Sequence, residues 1–193
     1  MTGSTILPGL HTPVSSENDT QAAETMLSVL TFTSAGQRYG LSVMDVVQII
    51  EMVTITCLPN TPTAIKGIIN VRGQIVPVLD LRLRFGLAAV PYRLHTPIIL
   101  VDYQTCMMGI VVDQMGEVLT LTSNNLMSVE MFLPTDLLNF QTDAHRLAFL
   151  AGVGQLDRQM IPILHLPAIL SNIEYQQLSD ALARQQTSEA KAQ

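Results

Sequence analysis

Charge is what this chain has least of. Asp, Glu, Lys and Arg make up 13% of its 193 residues, against a hydrophobic share of 48%. That shortage excludes a charge-solvated disordered protein. It leaves a globular chain of one or two domains, long enough for a proper core and apolar enough that partners cover some of its surface. Basic residues are scarcer than acidic ones, ten against 16, for a net charge of -6. A nucleic-acid binder needs a basic footprint that this balance does not supply. Cysteine is nearly missing. Cys57 and Cys106 stand far apart with no C-x-x-C spacing, and their apolar surroundings predict two buried free thiols in a reducing compartment. No apolar run approaches the roughly 18 residues of a membrane span, so direct insertion is not expected. The opening MTGSTILPGLHTPVSSENDTQAAE has neither the basic nor the apolar region of a signal peptide. A cytoplasmic location is expected.

What is present is organised as a repeat. Residues 1–25 are polar and read as a mobile arm. From Leu27 the pattern is β, turning at Ala35-Gly36 and running back from Tyr39 to Val43. Ser42 and Asp45 predict a brief helical turn before Val46–Ile50 extends again. Asn60 or Thr61, followed by Pro62, predicts a short helix ended by Gly67, and Asp80 and Gly86 bracket a second one, LRLRF. Residues 40–50 align without gaps on 109–119, and 75–81 align on 160–166, with Gly67 matching Gly152. Each half therefore reads as strand, turn, strand, kinked strand, then a hairpin with proline inside its second arm. Pro77 and Pro162 are expected at edges or bulges. Short strands of this kind predict an all-β fold of two similar small barrels in tandem. Residues 133–146 fit neither half and are expected to connect elements inside the second barrel. After Ile173, Tyr175, Leu178 and Leu182 recur at helical spacing behind Asn172 as cap, predicting a C-terminal helix with a frayed end from residue 185.

The segment Ile65–Phe85 carries the strongest local signal. Ile68-Ile69 and Ile75–Leu79 flank a polar tip of Asn70, Arg72, Gly73 and Gln74, the signature of a hairpin whose turn uses glycine. Arg72 projects from it, a planar cation suited to recognition. Five of the ten basic residues, Lys66, Arg72, Arg82, Arg84 and Arg93, lie here with Asp80 as the only acid, which favours an acidic protein partner; scattered solvated charge is the competing account.

Signals for chemistry are weak. His11, His95, His145 and His165 show no ligand spacing, and His165, standing where the first repeat has Asp80, reads as a cap or surface residue. Gly152-Val153-Gly154 lacks the rest of a dinucleotide fingerprint, and no nucleophile elbow or phosphate loop is present. Asp113 and Glu117 read as solvated strand-end charge. Met107, Met108, Met115, Met127 and Met131 cluster in the second half, mostly as core, with Met115 the one placed on the kinked strand. No enzyme, cofactor or metal is expected. A small-ligand sensor using the cleft between barrels would need a convergent polar constellation, and only Arg72 and Asp113 are available.

The run IKGIINVRGQIVPVLDL over 65–81 resembles the signature of the CheW family of bacterial chemotaxis adaptors. The similarity extends through Tyr39-Gly40, Leu58-Pro59 with Thr61-Pro62, Gly109–Asp113, Glu117-Val118 and Met160–Leu164. It implies one domain over residues 26–175, built as two intertwined five-stranded barrels, with residues 176–193 as C-terminal helix and tail. It also implies a non-enzymatic role, linking the cytoplasmic tips of chemoreceptors to the regulatory domain of the histidine kinase CheA at membrane-associated arrays. The variant is the same role in a system controlling twitching motility. By the resemblance, Val46, Gly67 and Ile68 face the kinase, and Gln48, Arg72, Ile98, Gly109, Met115 and Gly152 lie near a groove that takes the receptor helix hairpin. Gln48 stands where the family often has Glu, and His165 where it has Asp. With no receiver or ATP-binding domain, a stand-alone adaptor is expected, neither CheV nor CheA.

Overall fold

The structure, a computed structural model, describes residues 26–104, 106–129, 149–156 and 158–191, with side chains as far as residue 185. The expected arm at 1–25, the 133–146 connection, Met131, His11 and His145 lie outside the described residues.

The strands form where β-branched and aromatic runs end in turn residues. β1 (Met26–Ser34) and β2 (Gln37–Ser42) turn through Ala35-Gly36. A single 3-10 turn at Val43–Asp45, capped by the Ser42 hydroxyl accepting the Met44 N–H, leads into β3 (Val46–Glu51). β4 (Ile65–Val71) and β5 (Gln74–Asp80) make the hairpin around Arg72. They are followed by β6 (Pro97–Tyr103), β7 (Cys106–Val111), β8 (Gln114–Thr122), the two-residue β9 (Leu126–Met127), β10 (Leu150–Leu156) and β11 (Gln159–Leu164).

The helix expected after Asn60 does not form. Residues 61–64 lead directly into β4, Gly67 lies inside that strand, and the Ile-rich run is drawn into the sheet. The helix expected after Asp80 does form, as α1 (Leu81–Arg84). The Asp80 carboxylate accepts the Arg82 and Leu83 N–H groups at its start. His165 occupies the equivalent place, is exposed, and makes no capping bond; a lone 3-10 turn at Leu166–Ala168 follows. The C-terminal helix α2 (Asn172–Lys191) is capped one residue earlier than expected. Ser171 Oγ accepts the Glu174 N–H, and Glu174 Oε2 accepts the Ser171 N–H at 2.8 Å, a reciprocal capping box. Its end is helical as far as Lys191 and not frayed from residue 185, since the Gln, Glu, Ala and Lys there sustain a helix and no Gly or Pro interrupts it.

Two sheets result, in strand orders β8-β1-β2-β11-β10-β9 and β3-β6-β7-β5-β4. Each curls back on itself. The chain beyond β3 reaches the far edge at Thr56, which exchanges two 2.8 Å backbone bonds with Ile68 of β4. The chain beyond β8 likewise returns as β9 to pair with β10. The repeat is exact in register: Val78 pairs in parallel with Gly109 as Ile163 does with Gly40. The bulge between Ile65 and Gly67 recurs between Leu150 and Gly152. The barrels, however, are not the two halves of the sequence. Hairpin β1–β2 completes the barrel made by the C-terminal strands, and hairpin β6–β7 completes the one made by β3, β4 and β5. The halves have exchanged hairpins. One barrel has the expected five strands; the other has a sixth because the return segment pairs over two residues there instead of one.

Pro77 and Pro162 sit in interior strands, one to two positions along from the bulges on their partners and not at edges. Ile68, opposite Pro77, spends both its backbone groups on Thr56. The pair is therefore non-hydrogen-bonded, and no donor is asked of the proline.

Burial on both faces explains the unbroken apolar runs. Ile98, Leu100, Val76 and Val78 fill one barrel, while their neighbours Ile99, Val101 and Leu79 join Phe32, Leu41, Ile110 and Leu164 in a core shared by both sheets. Val29, Leu121 and Ile163 fill the other barrel. At Gly40 an added Cβ would strike Val29 Cγ1, and at Gly109 it would meet Ile98 Cγ2 at 2.9 Å. Gly40→Ala is therefore expected to cost about 1–3 kcal/mol by overpacking, and Gly109→Ala less. Urea denaturation of the two variants checks the order.

Candidate docking site

The β4–β5 tip is a tight turn in which Arg72 (φ 53°) and Gly73 (φ 88°) both take left-handed backbone, the two-residue geometry that suits twisted hairpins. Asn70 Oδ1 accepts the Gly73 N–H at 2.8 Å and fixes the loop. Arg72 is exposed, and among the described residues no acid stands within ion-pair range of it. Beside the tip lies an open groove of about 590 Å³. Val47, Ile75 and Met107 supply its apolar surface, and Asp102 and Gln74 its polar groups.

Two other members of the basic cluster, Arg82 and Arg84, are held in ion pairs. Arg82 holds Asp113 through two bonds, Nε to Oδ1 at 2.7 Å and Nη2 to Oδ2 at 2.5 Å. Asp113 Oδ2 also accepts the Ala35 N–H, at 2.7 Å, from the β1–β2 turn. Asp113 is thus a tie between the two sheets, not solvated strand-end charge. Bonding from Arg82 holds its carboxyl below the usual range despite partial burial. Arg84 pairs with Glu174 at 2.8 Å and lies over the Phe149 ring. Asp80 is buried and fully bonded, its Oδ2 accepting the Tyr92 hydroxyl. Burial, then that bond, push the Tyr92 phenol well above its ordinary value.

The residues tied to the site by resemblance separate into two kinds. Gln48 and Arg72 are exposed, and Val46 and Met115 half-buried. Ile98, Gly109, Gly152, Gly67 and Ile68 are buried. Ile98 lies in a barrel interior, Gly109 beside it, and Gly152 under the Met127 carbonyl. Gly67 has φ 143° and presses against the Thr56 carbonyl, which leaves no room for a Cβ. Ile68 packs under α2 with Leu58 and Ala181. Met115 and Gly152 belong to the β1-containing sheet; the others belong to the β3-containing one. The thiols also differ from expectation: Cys57 is exposed and Cys106 half-buried. Cys57 lies in the open segment linking β3 to β4, which contributes only Thr56 to the sheet.

The sequence reading passed over an apolar surface on β3 and the turn before it. Met44 is 89% exposed, Val47 54% and Ile49 43%. The signal was the unalternating run Val46–Ile50, which reads as a strand buried on both faces although only one face finds cover. In the other barrel the aligned residues are Asp113, Gly116 and Val118, so the patch belongs mainly to one barrel.

An exposed cation, a groove of mixed polar and apolar lining and an apolar strand face equip a β-barrel docking module; among the described residues that cation has no ion-pair partner, and no group of three or more potential metal ligands occurs. The model of the CheW-like domain matches residues 28–174. Chemotaxis protein CheW of Klebsiella aerogenes is 33% identical over 145 residues, 75% of this chain and 82% of that protein. A probable chemotaxis protein CheW of Rhizobium etli is 27% identical over 146 residues, 76% and 88% of the two chains. The crystal structure of the scaffolding protein CheW from Thermoanaerobacter tengcongensis superposes with a TM-score of 0.65 at 31% identity, covering 78% of this chain and 96% of that one. The chain belongs to the CheW family and serves as a chemotaxis signal-transduction adaptor. No helix among the described residues is long and apolar enough to cross a membrane.

The Arg82–Asp113 tie has a pH signature. A carboxyl whose native pKa is depressed adds stability above its unfolded pKa and loses it as pH falls through the native value. Asp113→Asn is therefore expected to lower Tm by a constant amount above about pH 5, with the gap to wild type closing below about pH 4. Melting curves taken across that range check it.

Proposed function

We propose that this chain works without catalysis, coupling the cytoplasmic tips of chemoreceptors to the regulatory domain of the histidine kinase CheA at membrane-associated arrays. The observation that carries this reading is Arg72, an exposed guanidinium with no ion-pair partner among the described residues, on a rigid turn beside a groove of mixed polar and apolar lining. Such a rim and floor suit a helical partner, whose apolar stripe enters the groove while its acids meet the cation. Gln48 and Met115 are assigned to the receptor with Arg72, and Val46 to the kinase. Ile98, Gly109 and Gly152 contribute on the receptor side through packing that sets strand positions. Gly67 and Ile68 contribute on the kinase side through the shape of β4. A fixed geometry of this kind lets receptor state bias the kinase between active and inactive conformations. Work in the cytoplasm is consistent with the two unpaired cysteines.

Protein PilI of Pseudomonas aeruginosa is 28% identical over 94 residues, 49% of this chain and 53% of that one. The same adaptor role in a twitching-motility system is the alternative output, and swimming and twitching assays of a deletion strain separate the two. For the docking role itself, Arg72→Asp is expected to keep the wild-type melting curve, because the side chain is exposed at a turn. Its affinity for a receptor signalling fragment is expected to fall at least about tenfold, ~1.4 kcal/mol. Wild-type co-sedimentation of that variant with receptor fragment and CheA would reject the anchor role. Gly67 variants are unsuited to the same test, since any side chain there collides with Thr56 and disturbs the fold first.

A further inference from the structure

The hairpin that carries Arg72 has two faces. Ile69, Val71, Val76 and Val78 turn into the barrel. Ile68 and Ile75 turn outward, where they pack with Leu58, Ala181 and Leu182. Tyr175 and Leu178, earlier on α2, belong to the shared core. Past Leu178 the helix therefore touches the outer face of the hairpin, through Ala181 and Leu182. Its first turn is anchored by the Arg84–Glu174 pair. Beyond Leu182 it continues to Lys191, about 13 Å at the usual rise per residue. Ile75 is the second residue of β5, three positions from Arg72 across the turn. The second barrel offers the control: Met160, aligned with Ile75, is left 37% exposed on β11.

We propose that α2 is the positioning element for Arg72, with Ala181, Leu182 and Leu58 as the residues through which it acts. β5 is joined to β7 only over Val78–Asp80 and β4 to Thr56 only at Ile68, so the part of the hairpin nearer the tip is held by its own ladder alone, which is marginal. A helix pressed on its outer face steadies that part and presents the guanidinium to the groove in one orientation, at lower ordering cost on binding. The inference rests on the reading of Arg72 as a recognition residue.

The test uses the full chain, amide hydrogen exchange at the tip, and titration with a receptor signalling fragment. Ala181→Glu places a charge between helix and hairpin; Leu58→Ala loosens the same contact and keeps the test usable should the first variant fail to fold. In a folded variant the Gly73 amide is expected to exchange about tenfold faster, and receptor affinity to fall about fivefold. In an Arg72→Ala background the same substitution is expected to cost no further affinity, because its effect passes through that side chain. Ala181→Ser, nearly the same size, restores both readouts. Wild-type exchange at the tip in the folded variants overturns the positioning role. Wild-type affinity in Arg72→Ala alone overturns the recognition reading instead, and the helix contact is then judged by exchange.

Discussion

One apolar core shared by two curled sheets is the constraint from which the other features follow. A strand such as β6 must line its own barrel with Ile98 and Leu100 and face the other sheet with Ile99 and Val101. Both faces are apolar over the buried stretch, with Asp102 only near the strand end, so little room is left for charge, and the low charged fraction is a consequence of architecture. The few charges near the junction are paired to match. Asp113 bridges Arg82 and the Ala35 N–H, and Asp80 is enclosed by two backbone donors and Tyr92. A buried or half-buried carboxylate is tolerated there because each of its oxygens is satisfied.

How much of this was legible depends on whether the signal was local. The Arg72 hairpin was legible because turn chemistry and β-branched runs coincide within about a dozen residues. The repeat was legible too, down to the match of Gly67 with Gly152, but the bulges at those glycines were not: the sequence suggested a helix end at Gly67 and bulges at the prolines. The exchange of hairpins could not be read from the repeat, because alignment of the two halves is indifferent to which half each hairpin pairs with. Asp113 was misread for a related reason: its partners, Arg82 and Ala35, are distant in sequence and meet only when both sheets are assembled. The helix expected at Asn60 failed because cap residues predict a start without saying whether the following isoleucines have a sheet to join.

The candidate site divides in the same way. Exposed members, Arg72 and Gln48, can meet a partner directly. Glycines chosen with them are places where two backbones or a backbone and a side chain touch, as at Gly67 and Gly109. Substitutions at the two kinds of position therefore report different things, contact in one case and scaffold geometry in the other. The apolar face of Met44, Val47 and Ile49 adds a surface whose exposure only the assembled sheet reveals.

The exchanged hairpins also set an order of events during synthesis. Hairpin β1–β2 emerges from the ribosome first, yet its neighbours β8 and β11 come from residues 114–122 and 159–164. At about 5–20 residues per second, it waits several seconds for them. The other barrel closes sooner, once β7 ends at Val111. The barrel holding Arg72 thus has all its strands while β1 and β2 still lack β8 and β11, and their unpaired edges stay open longest.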